Sequence, residues 1–191
     1  MRKFRLYKTS LIAIMIALST VIYMIFPEIP LVPGVEYLKV DLSDIPALVT
    51  GMTVGPLAGF LVELFKNLIH LTRTTTFGIG ELINVGIGSV MIFTTYAVSR
   101  TIAERRTGSV NAVAYYIAAV AAIIATILAG WVLNAALTPL YFIIMHWPLT
   151  TVTWLAGVWG STLLNAVKCA VTVLPFWPLI RILRKVNEKF V

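Results

Sequence analysis

"DIPALVTGMTVGPLAGFLVELFKNLIHLT", residues 44–72, decides the fold. The stretch is mostly apolar, yet it carries Gly51, Gly55 and Pro56 near its middle. It reads as one kinked helix or as two short ones, and the charges elsewhere in the chain choose between them. Arg2, Lys3, Arg5 and Lys8 precede the first apolar run. Arg100, Arg105 and Arg106 fall in a short hydrophilic loop, and Arg181, Arg184, Lys185 and Lys189 close the chain. These three clusters hold eleven of the fifteen basic residues, and the positive-inside rule places all three in the cytoplasm. An even number of spans must then separate the N-terminus from Arg100–Arg106. One helix in residues 44–72 gives three spans and two helices give four, so the stretch is predicted to turn at Gly55-Pro56.

The total is six spans with both termini cytoplasmic. The other four are Thr9–Phe26, Ile79–Ser99, Val110–Asn134 and Leu155–Leu183. The second helix, Asp44 to about Val54, is too short to cross a bilayer at about 1.5 Å per residue. Irregular backbone at that depth survives only under protein or beside a cavity, so this helix is predicted to lie inside the bundle next to a site. Residues 28–43 and 135–154 are left as outer loops covering a pocket, with Pro27, Pro30, Pro33 and Gly34 opposing helix in or beside the first and Pro139 and Pro148 in the second.

Composition agrees. Of the 191 residues 59% are hydrophobic and 12% charged, and the mean hydropathy is +0.93. A soluble domain of this size has no core large enough for that apolar surface. The chain reads as one all-α, multi-pass membrane domain over residues 1–191, with the lipid bilayer as its surroundings. The net charge of +7 is explained by the three cytoplasmic clusters and does not indicate a nucleic-acid partner. Leu11–Phe26 is long for a signal-peptide core and no small-residue cleavage site follows, so it is read as a retained span. Cys169 is the sole cysteine and cannot form an internal disulfide.

Polar residues inside spans mark candidate sites. Ser161, Asn165, Lys168 and Thr172 are spaced by four, three and four residues, which puts them on one stripe of the last helix. No acid lies in that segment to answer Lys168, so a neutral ligand rich in carbonyl acceptors is expected to meet it. Glu63, Lys66, Asn67 and His70 share a face of the third helix, with Glu63 and Lys66 placed to pair; this reads more as a seam than as ligand contact. Glu81 and Asn84 lie one turn into the fourth span, where Glu81 would cap its helix or pair with a lysine. Asn134 reads alone as a helix cap, or as a pocket amide. Ser43 or Asp44 would cap the short second helix, with Pro46 in its first turn. Asp41 and Asp44 are also the one acidic pair that would suit magnesium. Ala13 and Ala17 form a small-xxx-small pair that admits a close neighbouring helix. There is no P-loop sequence, no H-E-x-x-H and no nucleophile–base pair, so no catalytic residue is assigned, and His70 and His146 lack metal-ligand spacing.

"EYLKVDLSDIPALVTG", "ELFKNLIHL", "GELINVGIGS" and "LNAVK" together resemble the riboflavin-specific S components, of the RibU type, of energy-coupling factor (ECF) vitamin transporters. The resemblance implies a substrate-binding subunit in a prokaryotic cell membrane, not an enzyme, and no cofactor. Riboflavin, with FMN as a variant, would be the transported ligand. A transmembrane T component and two cytoplasmic ATPase subunits would complete the transporter. It further implies that Asn134, Asn165 and Lys168 hydrogen-bond the flavin ring, that Leu38–Val40 covers the ligand, and that Ala13 and Ala17 face the T component. The chemistry is consistent. The ring edge presents acceptor, donor, acceptor, and two amides with one ammonium can satisfy it. Glu81, Asn84 and Thr50 are the candidates for the ribityl hydroxyls. The alternatives are an S component for another vitamin and a magnesium-dependent enzyme acting on a lipid or isoprenoid through Asp41 and Asp44.

Overall fold

The computed structural model describes residues 2–25, 29–30, 39–106 and 108–188. It is a helical bundle: α1 (Arg2–Ile25), α2 (Asp44–Thr53), α3 (Pro56–His70), α4 (Ile79–Arg106), α5 (Ala112–Ile144), α6 (Thr151–Val173) and α7 (Trp177–Glu188). Two-residue strands, β1 (Ile29–Pro30) and β2 (Lys39–Val40), pair antiparallel with Ile29 opposite Val40. Among the described residues, four stretches are long and apolar enough to cross a membrane: Leu6–Ile25, Ile79–Arg105, Ala112–Ile144 and Thr151–Val186. Their outward faces carry exposed Ile14, Val132, Ile143, Val152 and Trp159, as lipid contact requires.

Residues 44–72 do split. α2 ends at Thr53, and Gly55 takes φ 141°, a conformation only glycine adopts without strain, before Pro56 opens α3. α2 touches α1, α3, α4, α6 and α7, and eight of its ten residues are buried. The short helix is therefore a central post of the bundle. Its approach to α3 is at backbone contact, because a Cβ built on Gly59 would sit 2.6 Å from the Ala47 carbonyl oxygen and 2.7 Å from Gly51 Cα. Gly59→Ala must push the two helices apart and is expected to cost about 1–3 kcal/mol. Thermal unfolding of the detergent-solubilised protein checks this; an unchanged midpoint would contradict the contact.

Four sequence expectations need correction: α4 continues through Arg100, Arg105 and Arg106, which are its last turns rather than a loop, and three others follow. First, residues 135–144 are helix rather than outer loop. Pro139 removes one helical donor, which leaves the Ala135 carbonyl without its usual partner, and the Trp154 indole N–H donates to that carbonyl at 3.3 Å. The connection to α6 then shortens to residues 145–150, closed by a reciprocal capping pair of Thr150 and Thr153. Second, residues 155–183 are not one helix. The chain breaks at Leu174–Phe176 around Pro175, and the Tyr115 hydroxyl donates to the Val173 carbonyl at 2.6 Å where α6 ends. Third, Ser43 stands at the head of α2 without capping it. Its hydroxyl and backbone N–H both donate to Asp41 Oδ1.

Candidate functional site

One cavity of about 340 Å³ opens between the C-terminal end of α1, the loop leading into α4, and the facing parts of α4, α5 and α6. Asn134, Asn165, Lys168, Glu81 and Asn84 all line it. The structure thus brings together five of the eight candidate ligand residues, drawn from three helices. Ser161, Asn165, Lys168 and Thr172 are all buried, as their shared stripe predicts. Val40 is buried next to Asp41 but is not on the wall, and Leu38 lies outside the described residues. Thr50 is not brought to the cavity: it is fully buried in α2, where its hydroxyl donates to the Pro46 carbonyl at 2.7 Å.

Asn165 is the wall residue whose hydrogen-bonding groups are least satisfied. It is buried, and neither its amide nitrogen nor its carbonyl oxygen has a hydrogen-bond partner among the described residues. A buried amide left unpaired costs about 1–3 kcal/mol per group, so this position calls for a ligand with both an acceptor and a donor. Gly130 makes room for it, since any Cβ there would collide with the Asn165 amide nitrogen. Asn134 is one turn farther along α5, inside the helix rather than at its cap. Its nitrogen donates to the Gly130 carbonyl at 2.9 Å, and its oxygen is approached by the Thr138 hydroxyl at 3.5 Å.

Lys168 overturns the expectation of a lysine without acids. Its ammonium lies 3.0 Å from Asp41 Oδ2 and 3.1 Å from Asp44 Oδ2, and it donates to Asn84 Oδ1 at 2.5 Å. Asp44 also pairs with Lys66, whose ammonium meets Glu63 at 3.0 Å and the Ser43 hydroxyl at 2.9 Å. Asn84 passes the network on by donating to Asn67 Oδ1 at 3.0 Å. Each ammonium thus sits between two carboxylates, and Asp44 is shared. The network ties the segment before α2 to α3, α4 and α6 directly beneath the cavity. It also answers the magnesium reading, because the Asp41 and Asp44 carboxylates are committed to lysines.

Glu81 pairs with no lysine among the described residues, and in the first turn of α4 its carboxylate accepts from its own backbone N–H. Its carboxylate contacts His70 Nδ1 at 2.9 Å and accepts from the Thr74 and Thr76 hydroxyls at 2.9 and 3.1 Å. The His70 ring stacks on Tyr23 with centroids 3.7 Å apart. Tyr23, His70, Thr76 and Asp41 all line the cavity and were not among the ligand candidates. For His70 the sequence signal is its place as the last member of the polar face of α3; for Asp41 it is the acidic pair with Asp44.

The cavity therefore has a mixed lining, apolar from Ile79, Ile83, Ile87 and Leu164 and polar from the amides of Asn84, Asn134 and Asn165, the Lys168 ammonium and the Asp41 and Glu81 carboxylates. That lining suits a partly apolar small molecule that carries hydrogen-bonding groups. The class defined by fold and site is a membrane protein that binds a small molecule within its helical bundle.

Comparison with known proteins narrows the class. The family model for the substrate-specific component of ECF transporters matches residues 9–180, and the chain belongs to that family. It is similar to the riboflavin transporter RibU of Staphylococcus aureus (strain TCH60), at 32% identity over 139 residues, covering 71% of this chain and 67% of that one. It is also similar to the riboflavin transporter FmnP of Bacillus subtilis (strain 168), at 36% identity over 73 residues, covering 37% and 36% of the two chains. A solved S component of a bacterial ECF transporter superposes with a TM-score of 0.75 at 25% identity, covering 96% of this chain and 99% of the other. The family is one of transport subunits, not enzymes.

Proposed function

We propose that the chain is a riboflavin-binding S component that captures the vitamin outside a prokaryotic cell and carries it through the cell membrane. The observation that carries this reading is the unpartnered Asn165 amide beside the Lys168 ammonium on the cavity wall. Asn134, Asn165 and Lys168 would hold the acceptor–donor–acceptor edge of the flavin ring. The ribityl chain would run toward Glu81. Asn84 acts through Lys168 and Asn67, since both ends of its amide are engaged by them. Riboflavin, or its phosphate FMN, is cargo and not a resident cofactor. The similarity to proteins named riboflavin transporters supports this choice over other vitamins.

In this reading α2 and α3 supply the second and third of six spans, both termini are cytoplasmic, and the cavity opens outward. Leu38 and Val40 belong to the loop that covers it. A transmembrane T component and two cytoplasmic ATPase subunits would drive transport. Ala13 and Ala17 suit the T-component contact because both lie on the exposed face of α1, away from α2 and α3. Ala17→Leu is expected to leave flavin affinity within about twofold and to impair uptake by the assembled transporter. Lost affinity would instead assign that face to the fold of the subunit itself. Mass spectrometry of small molecules released from the purified protein tests the cargo directly: riboflavin or FMN is expected, and a different vitamin would overturn the specificity.

A further inference from the structure

The end of the cavity nearest Glu81 is built by three helices. Tyr23 lies in the last turn of α1, His70 closes α3, and Glu81 stands in the first turn of α4. The Glu81 carboxylate is already fully engaged there. It contacts His70 Nδ1 at 2.9 Å, accepts from the Thr74 and Thr76 hydroxyls, and takes its own backbone N–H. A carboxylate has about four acceptor sites, so this set of donors leaves none for a ligand. The two hydroxyls are committed as well. Thr74 Oγ1 accepts from the backbone N–H groups of Thr76 and Gly78, and Thr76 Oγ1 accepts from that of Gly80.

His70 is different. The earlier members of its face on α3, Glu63, Lys66 and Asn67, spend their polar groups on the ion network. His70 gives Nδ1 to Glu81, and its Nε2 has no hydrogen-bond partner among the described residues. The ring is held in place, because it stacks on Tyr23 with planes 11° apart, and only 13% of the side chain is exposed. An imidazole that gives its one ring proton to a carboxylate through Nδ1 presents Nε2 as an acceptor. A mostly buried acceptor on a cavity wall calls for a donor from the ligand.

We propose that His70 Nε2 accepts a hydrogen bond from a ribityl hydroxyl, and that Glu81 is the positioning residue that fixes the ring tautomer for it. His70 thereby recognises the side chain of the ligand rather than its ring, given the flavin reading on which this inference rests. Asn134, Asn165 and Lys168 meet a ring edge that flavins share, so they do not tell riboflavin from a flavin that lacks the polyol. His70 does.

The test compares riboflavin with lumiflavin, which has the same ring and a methyl group in place of the ribityl chain, by fluorescence titration of the purified full-length protein. The wild type is expected to bind riboflavin more tightly. His70→Asn keeps a donor toward Glu81 but lacks Nε2. It is expected to weaken riboflavin binding by roughly three- to tenfold and to leave lumiflavin within about twofold. His70→Phe keeps a ring on Tyr23 without either nitrogen and is expected to give the same split. Lumiflavin binding reports that each variant is folded. Glu81→Gln, acting through His70, is expected to weaken riboflavin binding alone but to add less than about twofold to His70→Asn. Fully additive losses would overturn the positioning role of Glu81. Equal losses of the two ligands in the His70 variants, or no loss of either, would overturn this inference and leave the flavin reading standing. Binding of neither flavin by a folded wild-type protein would overturn the flavin reading and this inference with it.

Discussion

Replacing Lys66 with alanine is expected to lower the stability of the protein by about 3–5 kcal/mol. Lys66 is fully buried between Asp44 and Glu63 and does not line the ligand cavity. Its removal leaves Glu63 without a counter-charge, and Asp44 with Lys168 alone, in a region closed to water. The cost comes from that uncompensated charge rather than from the lost attraction itself, so it should be reversible by neutralising Glu63. Adding Glu63→Gln to Lys66→Met should recover most of the loss, because Asp44 keeps Lys168 as its partner. Unfolding of each variant, followed by heating in one detergent, separates these outcomes. A Lys66→Ala protein as stable as the wild type would contradict the ion network.

Lys168→Ala is expected to weaken riboflavin binding by about 1.5–3 kcal/mol, roughly 10- to 150-fold. Lys168 differs from Lys66 in facing the cavity as well as the acids. Its variant should therefore lose affinity beyond any loss of stability, and binding is to be measured well below the unfolding temperature. Lys168→Arg keeps the charge but changes its shape and reach, so it should restore stability more fully than affinity. Unaltered affinity in a folded Lys168→Ala protein would remove Lys168 from the ligand site.

Much of this architecture was legible because it follows from local chemistry. Gly55-Pro56 marks a turn by its own chemistry, and Gly55 does take φ 141° before Pro56 opens α3. The stripe from Ser161 to Thr172 follows from helical periodicity alone, and all four residues are indeed buried together. What escaped depends on partners distant in the chain. Pro139 argued for a loop because its missing donor is a local fact, whereas the Trp154 indole that accommodates it comes from another helix. Lys168 lacked an acid within its own segment, and the acids that meet it are more than a hundred residues earlier. Thr50 was the right residue type on a helix near the site, but it is turned onto its own backbone.

The reading of the cavity as a flavin site is tested most directly by riboflavin fluorescence in the presence of the purified, ligand-depleted protein. Saturable quenching with a one-to-one endpoint is expected for the wild type. The same titration should be shifted at least tenfold for Asn165→Leu, which removes both unpartnered atoms of the amide. Absence of quenching by a folded wild-type protein, or identical titrations of wild type and Asn165→Leu, would contradict it.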